Sequence, residues 1–271
     1  MTVHAPITTP LVLTHRPQPA VGLITLNRPQ MRNALSCAMM TALSEAIFAL
    51  GRDPGIAAIV LAANGPAFCA GHDLKELTAH RTDADGGAAF YAETMSQCAA
   101  LMQSIIACPK PVIAAVDGVA TAAGCQLVAT CDLAIAADTA TFATPGVNIG
   151  LFCSTPMVAL SRNIPRKRVM EMLLLGDALS ASEAAGYGLV NRVVAGDQVL
   201  PTALAIAETI AGKSKTTIAT GKAAFYAQVE QPLGEAYAYA TDIMTRNMLD
   251  ADAAEGIGAF LAKREPRWSG C

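Results

Sequence analysis

Charged and aromatic residues are scarce in this chain of 271 residues, and no apolar run is long enough to span a membrane. Charged residues make up 15% of the chain and aromatic residues 5%, whereas hydrophobic residues reach 53%. The apolar runs are short and are interrupted by Gly, Pro and Asp. A net charge of −3 gives no basic surface that would attract nucleic acid. The composition predicts a globular protein with a large buried core, with no membrane span and no nucleic acid as a partner.

Patterns for metal binding, disulfides and export are missing as well. Eight cysteines and four histidines occur without a C-x-x-C pair or the spacing of a zinc site. We therefore expect buried thiols in a reducing compartment and no metal. The first ten residues match neither a secretory signal peptide nor an Arg-rich and Ser-rich transit peptide. These observations predict a cytoplasmic protein.

Strand patterns alternate with helix patterns through the first two thirds of the chain. This order favours an α/β core with right-handed crossovers. Beyond Pro156, helical patterns dominate and only one short strand pattern, at 190–194, interrupts them. We expect a core at 1–198, which would carry the ligand site, and a helical oligomerisation region at 199–271.

The stretch 112–150 predicts a buried strand, a turn of small residues and a short apolar helix that begins near Ala123. Gly124 permits close contact between two backbones. A helix that begins among small residues directs free N–H groups at a ligand, which makes it a candidate oxyanion site. Gln126 lies one turn inside this helix, where a catalytic carboxylate would be easy to place. Its amide cannot take a proton at neutral pH.

Three motifs occur in one order along nearly the whole chain. They are L-N-R-P-Q-M-R-N-A-L-S at 26–36, A-F-C-A-G-H-D-L-K-E-L at 67–77 and A-V-D-G-V-A-T-A-A-G-C-Q-L-V-A-T-C-D at 115–132. Together they resemble the enoyl-CoA hydratase/isomerase (crotonase) superfamily, and F-A-T-P-G-V-N-I-G-L-F-C-S-T-P at 142–156 resembles one branch of it. The resemblance implies a crotonase-type ββα spiral core with a helical C-terminal trimerisation region. It also implies an acyl-CoA ligand, a homotrimer or a dimer of trimers, and no cofactor beyond the CoA of the substrate.

The resemblance also implies the site residues. The backbone N–H groups of His72 and Ala123 would bind the thioester carbonyl, and such donors do not depend on the side chain. The resemblance further implies two groups of residues that bind CoA. The adenine and pantetheine would be bound by Ala70, Asp73, Leu74 and Lys75. The nucleotide bound to a neighbouring subunit would be contacted by Phe260 and Lys263.

Two glutamates that handle water in hydratases of this family are replaced here by Gln126 and Gly146. Loss of a positioned acid or base costs roughly 100- to 10,000-fold in rate. We therefore expect an acyl-CoA-binding protein of the hydratase/isomerase type with impaired or altered hydratase chemistry, acting through an enolate. The alternatives are a non-catalytic acyl-CoA binder or oligomeric scaffold, and an ordinary hydratase that activates water without either carboxylate.

Other side chains near these positions are candidates to replace the carboxylates. Cys153 would be a nucleophile if the helix after Thr155 lowered its pKa, and Ser154 lies beside it. The alternative for Cys153 is a small buried residue that packs beside the acyl chain. The His72 ring could act as a base, or it could simply pack while the N–H of the same residue is used.

Overall fold

A six-stranded sheet forms the centre of the structure, a computed structural model that describes residues 9–269. In spatial order its strands are β1 (Val12–Gln18), β2 (Val21–Leu26), β3 (Ala58–Ala63), β5 (Val112–Val116), β7 (Leu133–Ala137) and β10 (Arg192–Val194). Only β1 and β2 pair antiparallel within this sheet. Its middle strands are buried on both faces, which is why their sequences are continuous apolar runs rather than alternating ones.

A second, four-stranded sheet carries the segments of the candidate site. Its strands, in spatial order, are β4 (Ala67–Cys69), β6 (Val119–Thr121), β8 (Thr141–Ala143) and β9 (Leu179–Ser180). Strand β4 lies within residues 62–71, a stretch rich in residue types that are common in turns. A strand of two or three residues is too short to show the alternation of apolar and polar residues by which strands are recognised in a sequence.

Seven helices belong to the part of the chain that surrounds the two sheets. They are α1 (Cys37–Arg52), α2 (Leu74–Ala79), α3 (Ala88–Ala107), α4 (Ala123–Thr130), α5 (Pro156–Leu160), α6 (Arg166–Leu175) and α7 (Ala181–Gly186). The side chain of Ser36 caps α1 by accepting a hydrogen bond from the Met39 N–H at 3.2 Å. The buried face of α1 then repeats at helical spacing, through Leu43, Ile47 and Leu50.

Four helices follow: α8 (Val199–Ala211), α9 (Lys215–Gln228), α10 (Leu233–Met248) and α11 (Ala251–Leu261). Helix α8 packs across β2, β3, β5 and β7, and its Ala203 and Ala207 are buried in the same core as those strands. Helix α8 therefore contributes to the packed core, and the division at 198 between a core and an oligomerisation region stays a prediction. By contrast, α10, α11 and the turn between them expose large apolar side chains, including Tyr237, Leu249 and Phe260.

A buried ion pair attaches α9 to the core. The Lys222 ammonium, 6% exposed, donates to the Asp132 carboxylate at 2.7 Å and to the carbonyls of Ile105 and Lys110. The same carboxylate accepts hydrogen bonds from the Val112 N–H, at 2.7 Å, and from the Tyr226 hydroxyl. The Asp132 carboxylate therefore joins β5, the start of β7 and α9.

The chain after α11 folds back along that helix. Arg264 forms two hydrogen bonds to the Glu255 carboxylate, at 2.6 and 2.8 Å. The Trp268 indole N–H donates to the Gly212 carbonyl at 2.8 Å, and its ring lies over Gly256. These contacts fix the segment 264–269 to the junction between α8 and α9.

Candidate active site

The loop 70–73, which contains His72, is bound along its length to the segment 32–35. The Ala70 N–H donates to the Arg32 carbonyl at 3.0 Å, and the Leu35 N–H donates to the Gly71 carbonyl at 2.7 Å. The Asp73 N–H then donates back to the Leu35 carbonyl at 3.2 Å. Backbone groups alternate between the two sides of such an extended pairing. The N–H of His72 therefore points away from the segment 32–35.

Asn33 holds the segment 32–35 in place. Its side chain is fully buried at a positive φ of 53°, a conformation that asparagine tolerates better than most residues. Its amide donates to the carbonyls of Asn64 and Ala67, and its carbonyl accepts from the Arg28 N–H. Sequence reasoning missed this residue. The motif at 26–36 includes Asn33, but the motif alone gave this residue no role.

Asp73 is occupied by contacts within the protein. It is the N-cap of α2, and its carboxylate accepts hydrogen bonds from the N–H groups of Lys75 and Glu76. The same carboxylate forms an ion pair with Arg28 at 2.8 Å. Burial raises the pKa of this carboxyl, but the contacts with Arg28 and the two N–H groups outweigh burial and lower it. Asp73 thus orients the loop, whereas the side chains of Leu74 and Lys75 are exposed.

The start of α4 lies against the loop 70–73. A Cβ atom added to Gly71, whose φ is +86°, would lie 2.9 Å from the Ala122 Cβ and 3.3 Å from the Ala123 backbone nitrogen. Ala122 itself has φ 51° and ψ −119°, a strained conformation for a residue with a side chain. Such strain costs about 1–3 kcal/mol and is concentrated at functional sites. The predicted oxyanion donors, His72 and Ala123, therefore lie on two segments in direct contact.

Gly124 lets α4 approach β4 more closely than any other residue would. A Cβ atom at this position would lie 2.1 Å from the Cys69 carbonyl oxygen and 2.7 Å from the carbonyl carbon. The approach fixes the N-terminus of α4 beside the strand that leads into the loop 70–73.

Several buried polar atoms around this contact have no hydrogen-bond partner. Gln126 is 4% exposed, and its Oε1 is unpartnered. Three further atoms near it are also unpartnered: His72 Nε2, Thr121 Oγ1 and Thr144 Oγ1. Gln126 and these three residues lie on segments that meet at Ala122. Within residues 9–269 one more buried polar atom lacks a partner, Gln18 Oε1 at the end of β1. Since an unsatisfied buried polar atom costs about 1–3 kcal/mol, this concentration indicates a site that receives its polar partners from a ligand or from water.

Neighbouring atoms leave no space for a side chain at Gly146. A Cβ atom there would lie 2.8 Å from the Leu151 carbonyl oxygen and 2.9 Å from the Cys153 Sγ. Burial raises the pKa of the Cys153 thiol, which argues against the thiolate hypothesis. Ser154 is exposed, and its hydroxyl donates to the Phe152 carbonyl at 3.3 Å.

Phe260 and Lys263 lie apart from this cluster. Phe260, at the end of α11, is 82% exposed, and Lys263 follows it at a φ of 53°. Across the described residues, no hydrogen bond or ion pair joins either one to the loop 70–75. Two surface clefts of about 720 and 450 Å³ also lie among the C-terminal helices and the tail, away from the contact of His72 with Ala123.

Residues 9–269 contain no group of three or more His, Cys, Asp or Glu side chains that could bind a metal ion. None of the helices in this part of the chain has the length and apolar character needed to cross a membrane.

Comparison with known proteins identifies relatives along nearly the whole chain. The family model described as enoyl-CoA hydratase/isomerase matches residues 16–271. A protein from Rattus norvegicus named enoyl-CoA hydratase domain-containing protein 3, mitochondrial, is 45% identical over 97% of this chain and 86% of its own length. The human protein of the same name is 47% identical over 91% of this chain and 80% of its own length. These relatives confirm the branch that the stretch 142–156 resembles. The expectation of a cytoplasmic protein is wrong, because the relatives are named as mitochondrial.

Solved structures give the same result. The crystal structure of an enoyl-CoA hydratase from Mycobacterium smegmatis matches with a TM-score of 0.91 and 50% identity, covering 96% of this chain and 99% of that one. The structure of human enoyl-CoA hydratase domain-containing protein 3 matches with a TM-score of 0.90 and 44% identity, covering 96% and 100%. The predicted crotonase-type α/β fold is confirmed. This chain belongs to the enoyl-CoA hydratase/isomerase (crotonase) family.

Proposed function

We propose that this protein binds an acyl-CoA thioester and polarises its carbonyl between the backbone N–H groups of His72 and Ala123. The close approach of Gly71 to Ala123 is the observation that supports this proposal most strongly. The carbonyl oxygen becomes negatively charged when an enolate forms, and one preorganised donor is worth roughly 100- to 1,000-fold in rate. The strain at Ala122 and the unpartnered polar atoms around it also support a ligand site here.

The reaction would proceed through an enolate and would not be ordinary hydration. Gln126 cannot exchange a proton at neutral pH, and Cys153 and Leu151 fill the space at Gly146 where a second carboxylate would stand. The second candidate is a non-catalytic acyl-CoA binder or oligomeric scaffold. Positions 126 and 146 support this second candidate as well. The residues there remove the acid and the base of a hydratase but do not alter the backbone donors that would bind the thioester.

The remaining parts of the proposal concern the CoA and the assembly. Ala70, Leu74 and Lys75 would contact the pantetheine and adenine, and Phe260 and Lys263 would contact the nucleotide of a neighbouring subunit.

The exposed Tyr237, Leu249 and Phe260 support a homotrimer or a dimer of trimers, because large apolar surfaces are usually covered by a partner. No cofactor beyond the CoA of the substrate is needed for enolate formation. The names of the relatives support a mitochondrial location.

Calorimetry with CoA and butyryl-CoA tests binding, and an absorbance assay with crotonyl-CoA tests hydration. We expect butyryl-CoA to bind and crotonyl-CoA to be hydrated at least about 100-fold more slowly than by a hydratase with both glutamates, measured in parallel. Hydration at the rate of that reference enzyme would contradict the altered chemistry. Absence of binding by either compound would contradict the proposed function as a whole.

Restoring the carboxylates tests whether the ancestral geometry persists. Gln126→Glu with Gly146→Glu alone would place a side chain against the Cys153 sulfur. Cys153→Ala removes the sulfur, whereas the Leu151 carbonyl oxygen, 2.8 Å from the added Cβ, must shift in both variants. We therefore expect the triple variant with Cys153→Ala to gain more crotonyl-CoA hydration than the double variant, by roughly 10-fold or more for a recovered acid–base role. The Cys153→Ala single variant is the matched control, and it should gain none. Equal activity of the double and triple variants would show that the sulfur does not obstruct position 146.

A further inference from the structure

We propose that the imidazole of His72 is the base that removes the proton from the carbon next to the thioester carbonyl. The inference rests on the proposed function, because it requires the carbonyl to lie at the N–H groups of His72 and Ala123. His72 Nε2 is buried and has no hydrogen-bond partner. The ring belongs to the residue whose own N–H would bind the carbonyl, so the proposed base and one proposed oxyanion donor share a single backbone position.

The other titratable groups around the site are unsuited to this role. Burial raises the pKa of the Cys69 and Cys125 thiols to about 12, and it raises the pKa of Cys153 as well. The Asp73 carboxylate is tied to Arg28 and to the N-terminus of α2. On the same helix, Glu76 accepts a hydrogen bond from the Cys37 N–H at 3.0 Å, and Lys75 is an exposed cation. Among the described residues of the site, this leaves His72 as the side chain able to take up a proton near neutral pH.

The protonation state of His72 suits a base. Burial lowers its pKa from 6.5, so the ring is neutral at pH 7 and has one nitrogen free to accept a proton. In the step, the C–H bond breaks and an N–H bond forms on the ring. The C–H electron pair moves toward the carbonyl, whose oxygen becomes the enolate oxygen and is stabilised by the two backbone donors. Return of the proton, or of a deuteron from solvent, regenerates the thioester and the neutral ring.

Exchange of the α-hydrogens of butyryl-CoA for deuterium in D₂O, followed by proton NMR with the full chain, measures this step without knowledge of the physiological reaction. We expect His72→Ala and His72→Asn to lose at least about 100-fold in exchange rate, the lower end for loss of a positioned base. Butyryl-CoA affinity by calorimetry should change by less than about threefold, under 1 kcal/mol, because both variants keep the backbone N–H. The matched control is His15→Ala, an exposed histidine on edge strand β1.

The pH profile separates a base from a structural residue. For the wild type, the exchange rate should fall as the pH drops through a value below 6.5, where the ring becomes charged, and the residual rate of His72→Asn should not show this decline. Exchange within threefold of wild type in both variants would overturn the role of His72. Wild-type binding without any exchange would overturn it too, and would favour the non-catalytic binder. Absence of butyryl-CoA binding by the wild type would overturn the proposed function together with this inference.

Discussion

Gly124→Ala is expected to lower the free energy of unfolding by about 3 kcal/mol or more, at or beyond the upper end for overpacking in a core. The added methyl group would lie 2.1 Å from the Cys69 carbonyl oxygen. A backbone oxygen within β4 cannot rotate away as the end of a flexible side chain can, so either the strand or the helix must move. Urea unfolding followed by circular dichroism measures the change.

Gly221→Ala is the matched control, a second glycine inside a helix. Apart from its chain neighbours and the adjacent backbone of α9, nothing lies within 4 Å of a Cβ added to Gly221. Here the substitution should stabilise the protein by about 0.5–1 kcal/mol, because alanine loses less conformational freedom in a helix than glycine does. Equal effects of the two substitutions would contradict a tight contact between α4 and the backbone of β4.

Lys222→Met is expected to destabilise the protein by about 3–5 kcal/mol, the usual result when one partner of a buried ion pair is removed. The Asp132 carboxylate would keep the Val112 N–H and the Tyr226 hydroxyl but lose its counter-ion. The carbonyls of Ile105 and Lys110 would lose a donor in the same step. Thermal unfolding should show a fall in Tm of roughly 10 °C for a protein of this size.

Two controls define the source of that effect. The double variant Asp132→Leu, Lys222→Met should be less destabilised than Lys222→Met alone, since it leaves no unpaired buried charge. Arg246→Met breaks an exposed ion pair with Asp242 and should cost at most about 1 kcal/mol. A double variant as unstable as the sum of its single variants would contradict the ion-pair account.

Elements with a clear local pattern were predictable from the sequence. The helix expected to begin near Ala123 is α4, and the short strand expected at 190–194 contains β10. The second sheet was not predictable, because β4, β6, β8 and β9 have only two or three residues each. Their pairing depends on contacts such as that of Thr121 with Ala143, which are distant in sequence. These short strands carry the loop of His72 and lead into α4, so the support of the candidate site was hidden from local patterns.

In the candidate site, too, some features were predictable from the sequence and others were not. The motifs gave the positions of His72, Ala123 and Gln126, and their proposed roles remain predictions. The sequence did not indicate that Cys153 fills the space beside Gly146, because that contact depends on how the loop after β8 closes. Nor did it reveal that Lys222 binds Asp132, since the two residues are 90 positions apart and the ammonium is buried only after α9 packs. Local patterns in a single sequence do not show which distant segments pack against each other.

The docked C-terminal tail has a consequence for how unfolding can be observed. Trp268 is the single tryptophan of the chain, and it lies in the tail, against Gly256 and Gly212, rather than in the core. Its fluorescence emission therefore reports on the release of residues 264–269, while far-ultraviolet circular dichroism reports on the sheets and helices. If the tail detaches before the core unfolds, the two signals will change at different denaturant concentrations, and a single free energy would then not describe both transitions.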